Sequence, residues 1–299
     1  MTRVVEDARQ MDSLVKQELA RRLQEFPLRI PQWRMREVLH NSENAIIFLA
    51  QHDNGMWAAI KRFKFYVRAA HCPRVEQFLQ ECRALCLSEQ AGLVHLLDAG
   101  IAQRAIYLVM EYVHGDTLKN HLMVHPLPPL ARRLAWFDEL VLALGKVHAA
   151  GLLHRDLKTS NILVREDGSL ALLDFGMETQ LLVEAGFLRE YEIYCTPYYV
   201  SPERIIGEPA DQRSDLYALG VILYELLLGC KPYEGSALEE LLRKHALAPI
   251  PQLPVALAGY QPLINGLLAK FPEQRLQSTA EVVQLLLEIR GMHVISARD

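Results

Sequence analysis

The chain has 299 residues, 51% of them apolar, and a formal charge of −4. That is enough apolar side chain for one large core or two smaller ones, and the balance excludes the broad basic surface that a nucleic-acid partner requires. The five cysteines, Cys72, Cys82, Cys86, Cys195 and Cys230, are odd in number and lack paired ligand spacing. Free thiols in a reducing cytosol are therefore expected, rather than disulfides or a zinc set. The N-terminus is polar, with no signal-like apolar core, and the longest apolar stretch, Leu216 to Leu228, is interrupted by Glu225. It is too short to span a bilayer, so a soluble cytoplasmic protein is expected.

Val4, Met11, Val15, Leu19, Leu23 and Phe26 recur at three-, four- and seven-residue intervals, which predicts an amphipathic helix beside a charged face. Pro27 and Pro31 end it. Residues 1–32 are read as an extension whose helix packs on the remainder of the chain, is loosely ordered, or, through residues 1–31, makes a docking or dimer contact. From Trp33 to about Tyr112 the pattern reads strand, strand, helix, strand, strand. Ile46–Ala50 and Trp57–Lys61 are β-rich runs joined by the hairpin signal Asp53-Asn54-Gly55. Pro73 to Glu89 is helical by pattern, with Phe78, Leu79, Cys82, Leu85 and Cys86 on one face, and Ile106–Met110 is a further strand. Beyond Gly115 helical periodicity dominates, at Leu130–Ala149, Ser214–Leu228 and Ala280–Arg290.

The chemistry is concentrated in Leu153-His154-Arg155-Asp156-Leu157-Lys158-Thr159-Ser160-Asn161-Ile162, with Asp174-Phe175-Gly176 further on; Asp174 lies eighteen residues after Asp156. Phosphoryl transfer from ATP asks little covalent chemistry of a protein. It needs a group that orients the attacking hydroxyl and accepts its proton, and oxygen ligands that hold Mg²⁺ across the phosphates. Asp156 suits the first task, Asn161 and Asp174 the second. A capping aspartate in a polar turn would explain Asp156 alone, but not Lys158, Asn161 and Asp174 with it.

At these residues the chain resembles the eukaryotic-type (Hanks-type) serine/threonine protein kinases, in particular their bacterial members. The resemblance covers residues 33–290 and implies an α+β bilobal kinase fold. In it a small β-rich lobe (about 33–112) with one main helix precedes a larger helical lobe (about 113–290), residues 291–299 form a tail, and ATP sits in the cleft between lobes. Catalytic roles fall on Asp156, on Lys158 toward the γ-phosphate, and on Lys61, which ends Ala58-Ala59-Ile60-Lys61 and pairs with Glu81. Ile47, Ala59 and Leu163 would enclose adenine, with Met110 behind it and the Glu111-Tyr112-Val113 backbone along its edge. Asn161 and Asp174 would hold Mg²⁺. Scaffold roles fall on His154, Phe175, Asp215, Thr196 and a Glu203–Arg275 pair. The activity implied is transfer from Mg-ATP to serine or threonine of a protein substrate, with autophosphorylation.

Two departures stand out. The family's glycine-rich loop is replaced by Leu39-His40-Asn41-Ser42-Glu43-Asn44-Ala45-Ile46-Ile47, with His40, Ser42 and Ala45 in place of glycines. Glycine serves there because backbone must approach phosphates closely. Ser42 and Ala45 are small enough to remain nucleotide contacts, and weaker ATP binding or slower turnover is expected. The activation segment has no serine or threonine at its middle, so Glu190 or Glu192 is expected to pair with Arg155 in place of a phosphorylated residue. Cys195 stands where the family usually has glycine. The altered loop keeps a nucleotide-binding pseudokinase open as an alternative. A small-molecule phosphotransferase would typically lack Lys158, the Thr196 segment and the Ser201-Pro202-Glu203/Arg275 pair.

Overall fold

The computed structural model describes residues 2–42, 44–67, 73–86, 92–124, 126–173 and 197–296, of which 2–13, 73–74, 81, 83–86 and 292–296 are described in backbone alone. The chain forms two compact units, Met1–Glu89 with Val94–Val113, and Gln90–Leu93 with His114–Asp299.

The first unit opens with α1 (Thr2–Glu25) and continues into β1 (Trp33–Asn41), β2 (Ala45–His52), β3 (Trp57–Phe63), α2 (Pro73–Cys86), β4 (Leu96–Ala102) and β5 (Ala105–Glu111). The strands pair antiparallel in the order β1-β2-β3-β5-β4. Three strands precede α2, where the sequence pattern predicts two. The unannounced strand is β1, whose residues are all partly or fully exposed, and two register shifts against β2 break its alternation. Charged residues and bulges are what protect an exposed sheet edge, and they also erase the period-two signal. The β2–β3 hairpin forms where Asp53-Asn54-Gly55 predicts it: Gly55 has φ +93° and donates its N–H to the His52 carbonyl at 2.9 Å, a conformation only glycine adopts without strain.

Strand alternation sorts this sheet into two faces. Ile47 lies opposite Lys61 and Leu49 opposite Ala59, while Ile46 lies opposite Arg62 and Phe48 opposite Ile60. The face of Ile46, Phe48, Ala50, Ala58 and Ile60 is buried against Leu28 and Ile30, with Leu19, Leu23 and Phe26 packed over them. At about 1.5–3 kcal/mol per fully buried large apolar side chain, this face makes the stretch from Leu19 to Ile30 part of the unit's core. Arg62, fully buried on the same face, donates to the Pro27 carbonyl at 3.4 Å and the Phe63 carbonyl at 2.7 Å. Its guanidinium lies 5.2 Å from the centre of the Phe26 ring, a cation–π contact that offsets part of the cost of burying charge.

The second unit contains β6 (Gly115–Thr117), α3 (Leu118–Met123), α4 (Leu130–Ala149), β7 (Ile162–Arg165), β8 (Leu170–Leu172), α5 (Pro202–Ile205), α6 (Gln212–Leu228), α7 (Leu238–Leu247), α8 (Gln261–Leu267) and α9 (Thr279–Ser296). Helix α6 is its axis. Every residue from Ser214 to Leu227 is buried, as expected of a helix apolar on all sides, and it packs against α4 and α8. Asp211 caps its start by accepting from Arg213 N–H, and Gly229 ends it in the left-handed conformation. Strands β6, β7 and β8 form a small antiparallel sheet, and α9 packs on α4. Among the described residues no helix is long and apolar enough to cross a membrane.

Candidate active site

The catalytic segment of the second unit hangs from the first turn of α6. Asp215 is almost fully buried, and its carboxylate accepts the His154 amide at 2.8 Å, the Arg155 amide at 2.9 Å and lies 2.9 Å from His148 Nε2. A buried carboxylate is stable only when its lone pairs are filled, and here they are filled by the backbone that must be held. His154 is buried, with Nε2 2.9 Å from the Leu173 carbonyl. Arg155 stands in the left-handed region at φ +62°, an uncommon conformation for a residue with a Cβ. Arg204 of α5 donates to its carbonyl at 2.7 Å. The turn that results projects Asp156.

Asp156 is fixed from both sides. Asn161 Nδ2 donates to its carbonyl at 2.9 Å and to Oδ2 at 3.0 Å, while Lys158 Nζ lies 2.6 Å from the same Oδ2. Both side-chain contacts fall on Oδ2, and Oδ1 takes part in neither. Using Nδ2 this way aims the amide oxygen of Asn161 elsewhere, a hard oxygen donor of the kind Mg²⁺ selects. Asn161 is itself held in a 3-10 turn just before β7: its N–H donates to the Lys158 carbonyl and its carbonyl accepts Leu173 N–H, each at 2.9 Å. Leu163 comes next on β7 and is half-buried. The second predicted metal ligand, Asp174, lies outside the described residues, as do Phe175, Thr196, Cys195, Glu190 and Glu192.

Next to this loop the structure shows a cluster that sequence reasoning missed. Tyr199 hydroxyl donates to Glu225 at 2.8 Å and lies 2.9 Å from Thr159 Oγ1, and Lys231 bonds both Tyr199 and Glu225. Burial and the Glu225 charge push the Tyr199 hydroxyl far above its ordinary range, so it stays a donor. His148 was missed as well; it sits in the last turn of α4, and nothing in its spacing distinguishes it from a surface histidine. The Glu203–Arg275 pair forms as expected: Arg275 donates to the two carboxylate oxygens at 2.9 and 3.0 Å, and Ser214 adds a third bond at 2.7 Å. Burial alone would raise the Glu203 carboxyl, but Arg275 and Ser214 hold it below the usual range.

In the first unit Lys61 is 2% exposed on β3. It shares a sheet face with its register partners Ile47 and Leu108 and with Ala59, which lies opposite Met110. Met110 and Val113 are buried, and Glu111 donates its N–H to the His95 carbonyl at 2.9 Å. Glu81 lies on α2 with its side chain outside the described residues. Ser42 and Ala45 form a closed turn whose two amides are used internally. Ser42 N–H donates to the Ala45 carbonyl at 2.9 Å, and Ala45 N–H to Ser42 Oγ at 3.2 Å.

A carboxylate oriented by an amide and an ammonium, and an apolar sheet face carrying one buried lysine, are the parts of a protein kinase. The chain belongs to that family: the family model for the protein kinase domain matches residues 41–286. Among curated proteins it is similar to serine/threonine-protein kinase PknL of Mycobacterium tuberculosis, at 36% identity over 65% of this chain and 49% of the relative. It is also similar to PknA of the same species, at 32% over 73% and 52%, and to pkn2 of Myxococcus xanthus, at 34% over 73% and 27%. The chain thus spans from about a quarter to about half the length of these relatives.

Proposed function

We propose that the protein transfers the γ-phosphoryl group of Mg-ATP to serine or threonine hydroxyls of a protein substrate, and that it does so in the cytoplasm. The observation that carries this reading is Asp156, fixed through Oδ2 by Asn161 and Lys158 on a loop tied to buried Asp215. In this role Oδ1 of Asp156 faces the acceptor hydroxyl and takes its proton as the bond to phosphorus forms. Lys158 swings from Oδ2 to the transferring phosphoryl group, whose charge it offsets. A lysine at this place is the pattern that the resemblance to serine/threonine kinases implies, which supports a serine or threonine acceptor. Ile47, Ala59, Met110 and Leu163 supply apolar contacts to adenine, the backbone from Glu111 to Val113 meets its edge, and Lys61 with Glu81 orients the phosphates. Asn161 with Asp174 would hold Mg²⁺, which neutralises phosphate charge when bound.

The test is incubation of purified protein with Mg²⁺ and γ-labelled ATP, alone and with a generic protein substrate, beside Asp156→Ala and Lys61→Met. Label on serine or threonine in the wild type, absent from both variants, is the expected result, and mass spectrometry then reports whether Ser13, Thr179 or Thr196 is among the autophosphorylated residues. No transfer to any protein, with Mg-ATP still bound in a calorimeter, would replace this reading with that of a nucleotide-binding pseudokinase.

A further inference from the structure

The turn between β1 and β2 lacks glycine. Among its described residues none has a positive φ. What holds it is a residue from the end of β3. Lys64 donates its backbone N–H to the Asn44 carbonyl at 2.7 Å and its ammonium to the Ser42 carbonyl at 2.5 Å. Both bonds pull carbonyl oxygens toward Lys64. The same ammonium lies 5.2 Å from the centre of the Phe26 ring, the ring that also carries the Arg62 guanidinium. Phe26 in turn is packed on the buried outer face of the sheet. A continuous chain of contacts therefore runs from the N-terminal extension through Phe26 and Lys64 to Ser42.

We propose that Lys64, seated on Phe26, is a positioning residue for nucleotide: it fixes the β1–β2 turn in one conformation and so replaces the adaptability that glycines would give a phosphate-covering loop. This deepens the proposed function and rests on ATP being the substrate. Three physical effects converge on the same residue. Two carbonyl dipoles that would repel phosphate oxygens are turned away, that of Ser42 onto the Lys64 ammonium and that of Asn44 onto the Lys64 amide. One unit of positive charge is placed at the turn, where phosphate binding gains from it. The turn is ordered before nucleotide arrives, which removes an ordering cost from binding. Phe26 contributes by holding the ammonium over its ring and limiting its rotamers.

Two measurements test this, one of them independent of activity. In nucleotide-free protein, hydrogen exchange at the amides of Ser42 and Ala45 is expected to quicken about tenfold in Lys64→Met, the worth of one charge-assisted bond, and to return to the wild-type rate in Lys64→Arg. Phe26→Leu, which keeps the apolar packing and loses the aromatic face, should give a smaller increase. In steady-state assays Lys64→Met should raise KM for ATP by about the same factor with kcat within about twofold, and Lys64→Arg should rescue it. Unchanged exchange at Ser42 and Ala45 in Lys64→Met would overturn the brace whatever the enzyme's activity. Faster exchange with an unchanged KM in an active wild type would overturn its role in nucleotide binding. A wild type that binds no Mg-ATP would overturn that role along with the kinase reading itself, the exchange data alone still deciding the brace.

Discussion

At the scale of single residues, Asp156 carries the sharpest expectation. Asp156→Asn keeps the volume and can still meet Asn161 and Lys158, but it cannot accept a proton. kcat should fall by about 10²–10⁴-fold, the usual worth of a general base, while KM for ATP changes little; a fall of less than tenfold in a phosphate-transfer assay would remove Asp156 from that role. His245 predicts a pH effect on stability. It is fully buried beside Tyr217, with Nδ1 2.9 Å from the hydroxyl. Burial, and then the nearby Lys270 charge, push its imidazole down from 6.5 to about 4. The unfolded chain therefore binds the extra proton first. The contribution is fully present above pH 6.5 and is lost progressively as pH falls through about 4, approaching roughly 3 kcal/mol in the limit. Urea midpoints at pH 7 and pH 4.5 should differ more for the wild type than for His245→Gln, and equal differences would show that His245 is not the group titrating.

At the scale of elements, the Glu203–Arg275 pair joins α5 to the segment before α9, and both partners are at most 5% exposed. Arg275→Ala leaves the Glu203 carboxylate buried without its cation, which should cost about 3–5 kcal/mol, read as a drop in urea midpoint or Tm. Glu203→Gln should cost less, because the amide still accepts from Ser214. This pair was legible in the sequence because the kinase resemblance supplies both ends at once. So were the places of Lys61 on its strand and of Asp156 and Asn161 on the loop tied to Asp215, which lie in short segments of fixed form. What escaped has a common cause. Strand β1 hides its period behind Arg34, Arg36 and Glu37, and Lys64 meets Phe26 and Ser42 only through packing between distant segments. The Tyr199–Glu225–Lys231 cluster likewise draws its members from α6 and from the chain on both sides of it. A pattern along the chain records which face a residue takes, but not which remote partner waits on that face.

At the scale of the whole molecule, the family match begins at Asn41 while the folded unit begins far earlier. Deleting residues 1–30 would uncover the apolar face formed by Ile46, Phe48 and Ile60 and strip Arg62 of the Pro27 carbonyl and the Phe26 ring. The expected result is a lower Tm and binding of a hydrophobic dye by the truncated protein in its native buffer; a truncation as stable as the full chain would show that this face finds other cover. The two units also differ in how the chain visits them. It leaves the first at Glu89, spends Gln90–Leu93 in the second, and returns at Val94 to complete the first at Val113. Within the second unit, Gly92 accepts Leu172 N–H at 2.9 Å and Leu93 forms a parallel bridge with Leu172. During synthesis the ribosome therefore releases the whole first unit well before it releases the partner of its own inserted segment. The bonds of Gly92 and Leu93 to Leu172 can close only after Leu172 emerges, so the second unit is completed through a contact of long sequence separation.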